Sequence, residues 1–281
     1  MRIDAHQHFW ELARGDYGWL TPALAPLMRD FTPGDLEPLL AEAGVEATVL
    51  VQAAPTEAET DFLLGLASRT PFVAGVVGWV DFDAPEAPHK IGLLAARAKL
   101  VGLRPMIQDL DDDQWMLKRS LTPAFGAMIA HGLAFDALVK PRHLRTLLEF
   151  AARHPDLRIV IDHGAKPDIA AGVLEPWASG IRLLARETAV RCKLSGLLTE
   201  ATPGASASDL RPYVDTLLDA FGPQRLMWGS DWPVLNLNGD YASWRAQSLV
   251  AIGGRRAEDQ ELILGGVASE FYRLEATGEA A

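Results

Sequence analysis

Cysteine is almost absent from this chain. Cys192 is the single one in 281 residues. No intrachain disulfide can form, and a reducing, cytoplasmic compartment is the default expectation. No run of about 18 apolar residues occurs, so no helix is expected to cross a membrane. The opening residues carry no apolar signal-peptide core. Positive charge is short as well: 26 Lys and Arg stand against 37 Asp and Glu, a formal net charge of −11. Nucleic acids and anionic membranes demand a basic face, so neither is expected as a partner. A small anionic substrate needs only a few local arginines and stays open. Internal repeats and low-complexity segments are also missing.

What is present is ordinary globular composition, 49% hydrophobic and 22% charged, enough to bury a large core. Its arrangement is an alternation. Eight short β-rich runs, at 1–6, 47–52, 72–80, 101–107, 134–139, 158–162, 189–194 and 225–228, are each followed by a helical pattern. The helices are expected near 32–44, 56–68, 86–99, 123–131, 141–153, 176–186, 209–221 and from 241 onward. Thr32 followed by Pro33 suits a helix start, and Gly44 suits its end. The run ATVLVQ is apolar on both faces, as a buried parallel strand should be. Eight such units predict an α/β protein, a (β/α)8 TIM-type barrel spanning residues 1–281 as one domain. The alternative, an open doubly wound sheet, usually carries GxGxxG after its first strand. This chain has HQHFW there.

In such a barrel the C-terminal strand ends build the active site. The residues falling there carry chemistry. His6 and His8 end the first run, and in a regular strand they share a face with Asp4. Gln52 ends the second run, Arg104 interrupts the fourth, and Asp136 sits in the fifth. His163 follows the sixth, Lys193 and Ser195 close the seventh, and Asp231 follows the eighth. His89, His131, His143 and His154 fall on helices or connecting loops and are read as structural or solvated. The irregular stretch 9–31, with Trp10 and Trp19, is long for a connection and is expected to pack over the site as a lid or wall. Plainer readings exist: Asp231 as a helix N-cap, His163 as a satisfied core histidine, Arg104 as an ion-pair partner of Asp109 or Asp136.

The set resembles a known family. HxH at the end of strand one, with an aspartate after strand eight, resembles the amidohydrolase superfamily. DAHQHFW at 4–10, IDHGAKP at 161–167, CKLSGL at 192–197 and LMWGSDWPV at 226–234 are similar to its sugar-lactonase group, typified by L-fuconolactonase and L-rhamnonolactonase. The resemblance implies a hydrolase of carbohydrate metabolism that opens the lactone of a sugar acid of the L-fucono-, L-rhamnono- or galactono-type. The chain departs from metal-dependent members, which use histidines after strands five and six and often a carboxylated lysine on strand four. Here Asp136 and Arg104 stand in strands five and four. His6, His8, His163 and Asp231 can still hold one Zn²⁺, whereas a bridged two-metal site does not fit. The group also includes lactonases that need no metal, so the cofactor expectation is none, or one divalent ion.

A metal-free mechanism follows from these residue types. Asp231 takes a proton from the attacking water, a contribution of ~100- to 10,000-fold. His6, His8 and His163 donate to the developing oxyanion, each worth ~3 kcal/mol. Asp231 then returns the proton to the ring oxygen. Arg104, Lys193, Ser195, Gln52, Trp10 and Trp232 are the expected substrate contacts, with the lactone as the small-molecule partner. The alternatives are a dicarboxylate-lactone or pyrone hydrolase, a lactone isomerase on the same scaffold, or a non-catalytic sugar-acid-binding barrel. The first would call for more arginines in the pocket, the last for a missing base.

Overall fold

A computed structural model of the chain describes residues 1–275. Its eight strands are β1 (Ile3–Gln7), β2 (Ala47–Val51), β3 (Val73–Gly78), β4 (Leu100–Leu103), β5 (Ala134–Ala137), β6 (Arg158–Ile161), β7 (Arg191–Leu194) and β8 (Leu226–Trp228). They form one sheet in sequence order, and adjacent strands pair in parallel. β8 returns beside β1. The seam is closed just past both strands, where Asp231 N–H donates to His6 O at 2.8 Å and His8 N–H to Trp232 O at 2.7 Å. The (β/α)8 barrel expected from the alternation is therefore the fold.

Helices α1 (Pro33–Ala43), α2 (Glu57–Arg69), α3 (Ala87–Ala95), α4 (Thr122–Ala130), α5 (Leu144–Arg153), α6 (Trp177–Glu187), α7 (Ala207–Phe221) and α8 (Tyr241–Ile252) follow the strands in turn. α1 starts as its residues dictate. The Asp35 carboxylate accepts from Thr32 N–H at 2.8 Å, Pro33 fills the first position, and Gly44 leaves with φ +63°. The fourth run stops at Leu103 rather than at 107, because Pro105 has no N–H to continue the ladder.

Two cores result. Ile3, Ala5, Val49, Val51, Val77, Ala134, Val160 and Met227 fill the barrel, while the outward strand residues pack with the helices. The chain does not end at α8 as the sequence reading had it. After α9 (Ala257–Glu261) and a wide turn at Leu262–Gly266, α10 (Val267–Tyr272) plugs the barrel's N-terminal end with Phe271 and Tyr272. Gly265 permits this approach, since a Cβ there would lie 2.2 Å from Met1 O.

One local expectation is corrected. Asp4 does not share a face with His6 and His8. The register of β1 on β2 slips between Asp4 and Gln7, a bulge that reverses the alternation. Ile3 and Ala5 therefore face inward and Asp4 outward, where it accepts from Tyr241 Oη on α8 at 3.0 Å and from Ser230 N–H at 2.8 Å. Past the bulge, His6 turns into the barrel.

Candidate active site

The C-terminal mouth of the barrel gathers residues from six strand ends. The Asp231 carboxylate is the focus. Its Oδ1 lies 3.3 Å from His8 Nε2, 3.8 Å from His6 Nε2 and 3.7 Å from His163 Nε2. His6 Nε2 and His8 Nε2 are 3.2 Å apart. All four residues are at least 95% buried. Asp231 and His163 both sit in left-handed backbone, φ +61° and +53°, a conformation that side chains other than Gly adopt rarely and that concentrates at functional sites.

Each imidazole is oriented from behind. His8 Nδ1 donates to Val51 O at 2.7 Å, so neutral His8 presents a bare Nε2 to Asp231. His163 Nδ1 is 2.9 Å from Ser195 Oγ. Gly196 makes room for it: its φ is +63° and a Cβ would fall 2.4 Å from His163 Nδ1. His6 Nδ1 meets Lys193 Nζ at 3.1 Å and Asp162 Oδ1 at 3.4 Å.

A buried charged layer lies beneath. Lys193 Nζ reaches Asp136 Oδ2 at 2.6 Å and Asp162 Oδ1 at 3.0 Å, and Arg104 Nη1 reaches Asp162 Oδ2 at 3.2 Å. Arg104 also donates through Nη2 to Gln52 O, and Gln52 Nε2 returns a bond to Arg104 O at 2.8 Å. Tyr272, rising from α10, donates to Asp136 Oδ2 at 2.7 Å.

Electrostatics sort these groups. Burial pushes His163 down to about 4 and drives His6 well below its ordinary value, the latter reinforced by Lys193. Both rings are thus neutral near pH 7. Burial alone would raise Asp231, but the surrounding imidazoles, His163 foremost, outweigh it, and the carboxyl is held below its usual range. Asp162 behaves likewise: Lys193, His6 and Arg104 overcome burial and keep it ionised.

The residues singled out from the sequence divide. His6, His8, His163, Asp231, Arg104, Lys193, Ser195 and Gln52 come together. Lys193, Ser195 and Gln52 do so as supports, each fully buried and bonded to protein partners. Arg104 pairs with Asp162, and neither Asp109 nor Asp136 is its partner. Trp10 and Trp232 lie in the wall. Trp10 packs on Trp19 and Phe31, Trp232 on Phe9 and Phe31, with exposures of 0% and 2%. The 9–31 segment forms that wall, tied down by Trp19 Nε1 to Ala53 O at 2.8 Å. Cys192 packs outward in the helical core. Of the four set-aside histidines, His143 is buried and accepts from Lys140 N–H at 3.0 Å. Tyr272 went unread, because nothing in FY within a helix announces entry into a barrel.

Three of these side chains, His6, His163 and Asp231, also suit a metal. Ligands on tetrahedral zinc, at roughly 2.0–2.1 Å, stand about 3.3 Å apart. Asp231 Oδ1 stands 3.8 Å from His6 Nε2 and 3.7 Å from His163 Nε2, and the three residues offer ligand atoms within 4.8 Å of one another.

Sequence and structure comparisons agree with this layout. The amidohydrolase family model matches residues 3–274, and the chain belongs to that family. An L-fucono-1,5-lactonase of Burkholderia ambifaria is 52% identical over 98% of this chain and 96% of its own length. An L-fucono-1,5-lactonase of Burkholderia multivorans is 38% identical over 100% and 98%. The zinc-bound crystal structure of an amidohydrolase from Burkholderia multivorans superposes with a TM-score of 0.92 at 38% identity, covering 98% of this chain and 100% of that one.

Proposed function

We propose that the protein hydrolyses the lactone ring of a sugar acid, with L-fucono-1,5-lactone as its substrate. The observation that carries the reaction class is the convergence of three imidazoles on Asp231 at the barrel mouth. A carboxylate held ionised beside the neutral His6 and His163 rings accepts a proton from water as that water attacks the lactone carbon, and returns it to the ring oxygen as the C–O bond breaks. A histidine N–H facing the same point stabilises the oxyanion. His6, His163 and Asp231 could hold one zinc ion, which when bound would supply Lewis acidity and a more acidic water.

A cavity of about 460 Å³ opens past the ends of β3 and β4; none of the four centre residues lines it, and it reaches the site only through the chain that follows Arg104. Trp19 and Trp79 line it together with Asp16, Asp81, Asp83 and Asp109, and Pro105 and Met106 lead into it from Arg104. Indole faces receive the C–H face of a sugar ring, and carboxylates accept its hydroxyl protons. Among the described residues of this lining there is no Lys or Arg, so a substrate with a second carboxylate meets only like charge. That disfavours a dicarboxylate lactone or pyrone. The full-length relatives named L-fucono-1,5-lactonase support the particular sugar. Acid release from a panel of neutral aldonolactones and dicarboxylate lactones tests this reading. The L-fucono-1,5-lactone should turn over fastest and the dicarboxylates not at all; preference for a dicarboxylate would overturn it.

A further inference from the structure

His6 faces a cationic donor on each side. Lys193 Nζ lies 3.1 Å from its Nδ1, and Arg104 Nη1 lies 3.4 Å from its Nε2. A neutral imidazole holds one proton, so one of its nitrogens accepts and the other donates. The surroundings choose between them. His8 gives its own Nδ1–H to Val51 O, which leaves a bare Nε2 at 3.2 Å from His6 Nε2. With the His6 proton on Nε2, that lone pair gains a donor and Nδ1 accepts from Lys193 at 3.1 Å; the N–H then faces Arg104 Nη1, but at the longer 3.4 Å, and Nη1 keeps Asp162 Oδ2 as its acceptor at 3.2 Å. With the proton on Nδ1, an N–H is set against the ammonium. Its remaining acceptor is Asp162 Oδ1, at 3.4 Å. That oxygen is buried, and its other close neighbour is the Lys193 ammonium at 3.0 Å, an ion pair without hydrogen-bond alignment. Lys193 cannot withdraw, being fully buried between Asp136 Oδ2 at 2.6 Å and Asp162 Oδ1 at 3.0 Å.

We propose that Lys193 holds His6 in its Nε2–H tautomer, and so tunes the cluster toward hydrogen-bond donation and away from divalent metal. A metal ligand must offer Nε2 as a lone pair. A cation therefore enters only with the His6 proton on Nδ1, where Asp162 Oδ1 at 3.4 Å receives it. Lys193 is a positioning residue that weakens metal binding, and Asp162 is the acceptor that permits it. The inference does not depend on which lactone is hydrolysed.

Two measurements on the full chain test it. The first is nitrogen NMR of histidine-labelled, metal-depleted protein, with His6 assigned by its loss in His6→Asn. Free protein should show a protonated Nε2 and a bare Nδ1, and added zinc should reverse them. A protonated Nδ1 in the metal-free protein overturns the proposal. The second is zinc affinity by competition with a chromophoric chelator. The double variant Lys193→Met/Asp136→Asn, which removes the ammonium and its nearest carboxylate together, should bind zinc at least tenfold tighter than wild type. Asp162→Asn should bind it at least tenfold weaker. Equal affinity in wild type and double variant, or no uptake by either, refutes the lock. The NMR result on wild type stands even where a variant fails to fold.

Discussion

Glu59 is fully buried on the first turn of α2, and its carboxylate accepts from Ala53 N–H at 3.0 Å and Ala54 N–H at 2.6 Å. It thereby holds the chain just past Gln52, which in turn holds Arg104. Burial raises its pKa from 4.5 to about 7, against the lowering effect of those hydrogen bonds and of Arg104. The consequence for stability has a definite sign. Between pH 4.5 and 7 the folded protein keeps this proton and the unfolded chain has lost it, so stability falls as pH rises. At about 1.4 kcal/mol per pH unit, a shift of roughly 2.5 units removes about 3 kcal/mol between pH 4.5 and 7.5. Asp4, pushed to about 6 by burial, adds a slope of the same sign, but it does so in any Glu59 variant and cancels in a difference. Urea unfolding of wild type and Glu59→Gln across this range provides the assay. Wild type should lose about 3 kcal/mol relative to the variant. Parallel profiles, or a wild type that gains stability with rising pH relative to the variant, would refute the argument.

Other perturbations have equally direct readouts. Gly196→Ala forces a side chain into left-handed backbone and a Cβ to 2.4 Å from His163 Nδ1; lactone turnover should fall by about 100-fold or more with the circular dichroism of the barrel retained. Ser195→Ala removes the only side-chain partner of His163 Nδ1 among the described residues and should lower kcat roughly tenfold with little change in KM. Trp79→Ala, in the cavity wall, should raise KM for the sugar lactone about tenfold, the equivalent of ~1.4 kcal/mol of stacking, and leave an unsubstituted six-membered lactone unaffected.

The fold was legible because the eight β-rich runs and their helices alternate without interruption. Strand ends were less so, since Pro105 and the β1 bulge act through hydrogen bonds that spacing does not encode. The bulge is the sharper case. Perfect period-2 placement of Asp4, His6 and His8 was broken by one slipped register, and Asp4 became an outer partner of Tyr241. His6, His8, His163 and Asp231 were readable because barrel chemistry collects at strand C-termini. Lys193 and Gln52 were readable as members of the site but not as supports, because their role depends on depth in the barrel. Glu59 and Tyr272 reach the site from helices, and no local pattern marks a helix side chain that enters the barrel or caps its mouth.

The central claim is that Asp231 moves the proton in hydrolysis of a sugar-acid lactone. Acid release from L-fucono-1,5-lactone by wild type and by Asp231→Asn, a near-isosteric change that cannot accept the proton, tests it most directly. The account predicts rapid turnover by wild type and a loss of ~100- to 10,000-fold in kcat for the folded variant. A variant within a few-fold of wild type would contradict the role of Asp231, and a wild type inert toward every aldonolactone would contradict the function itself.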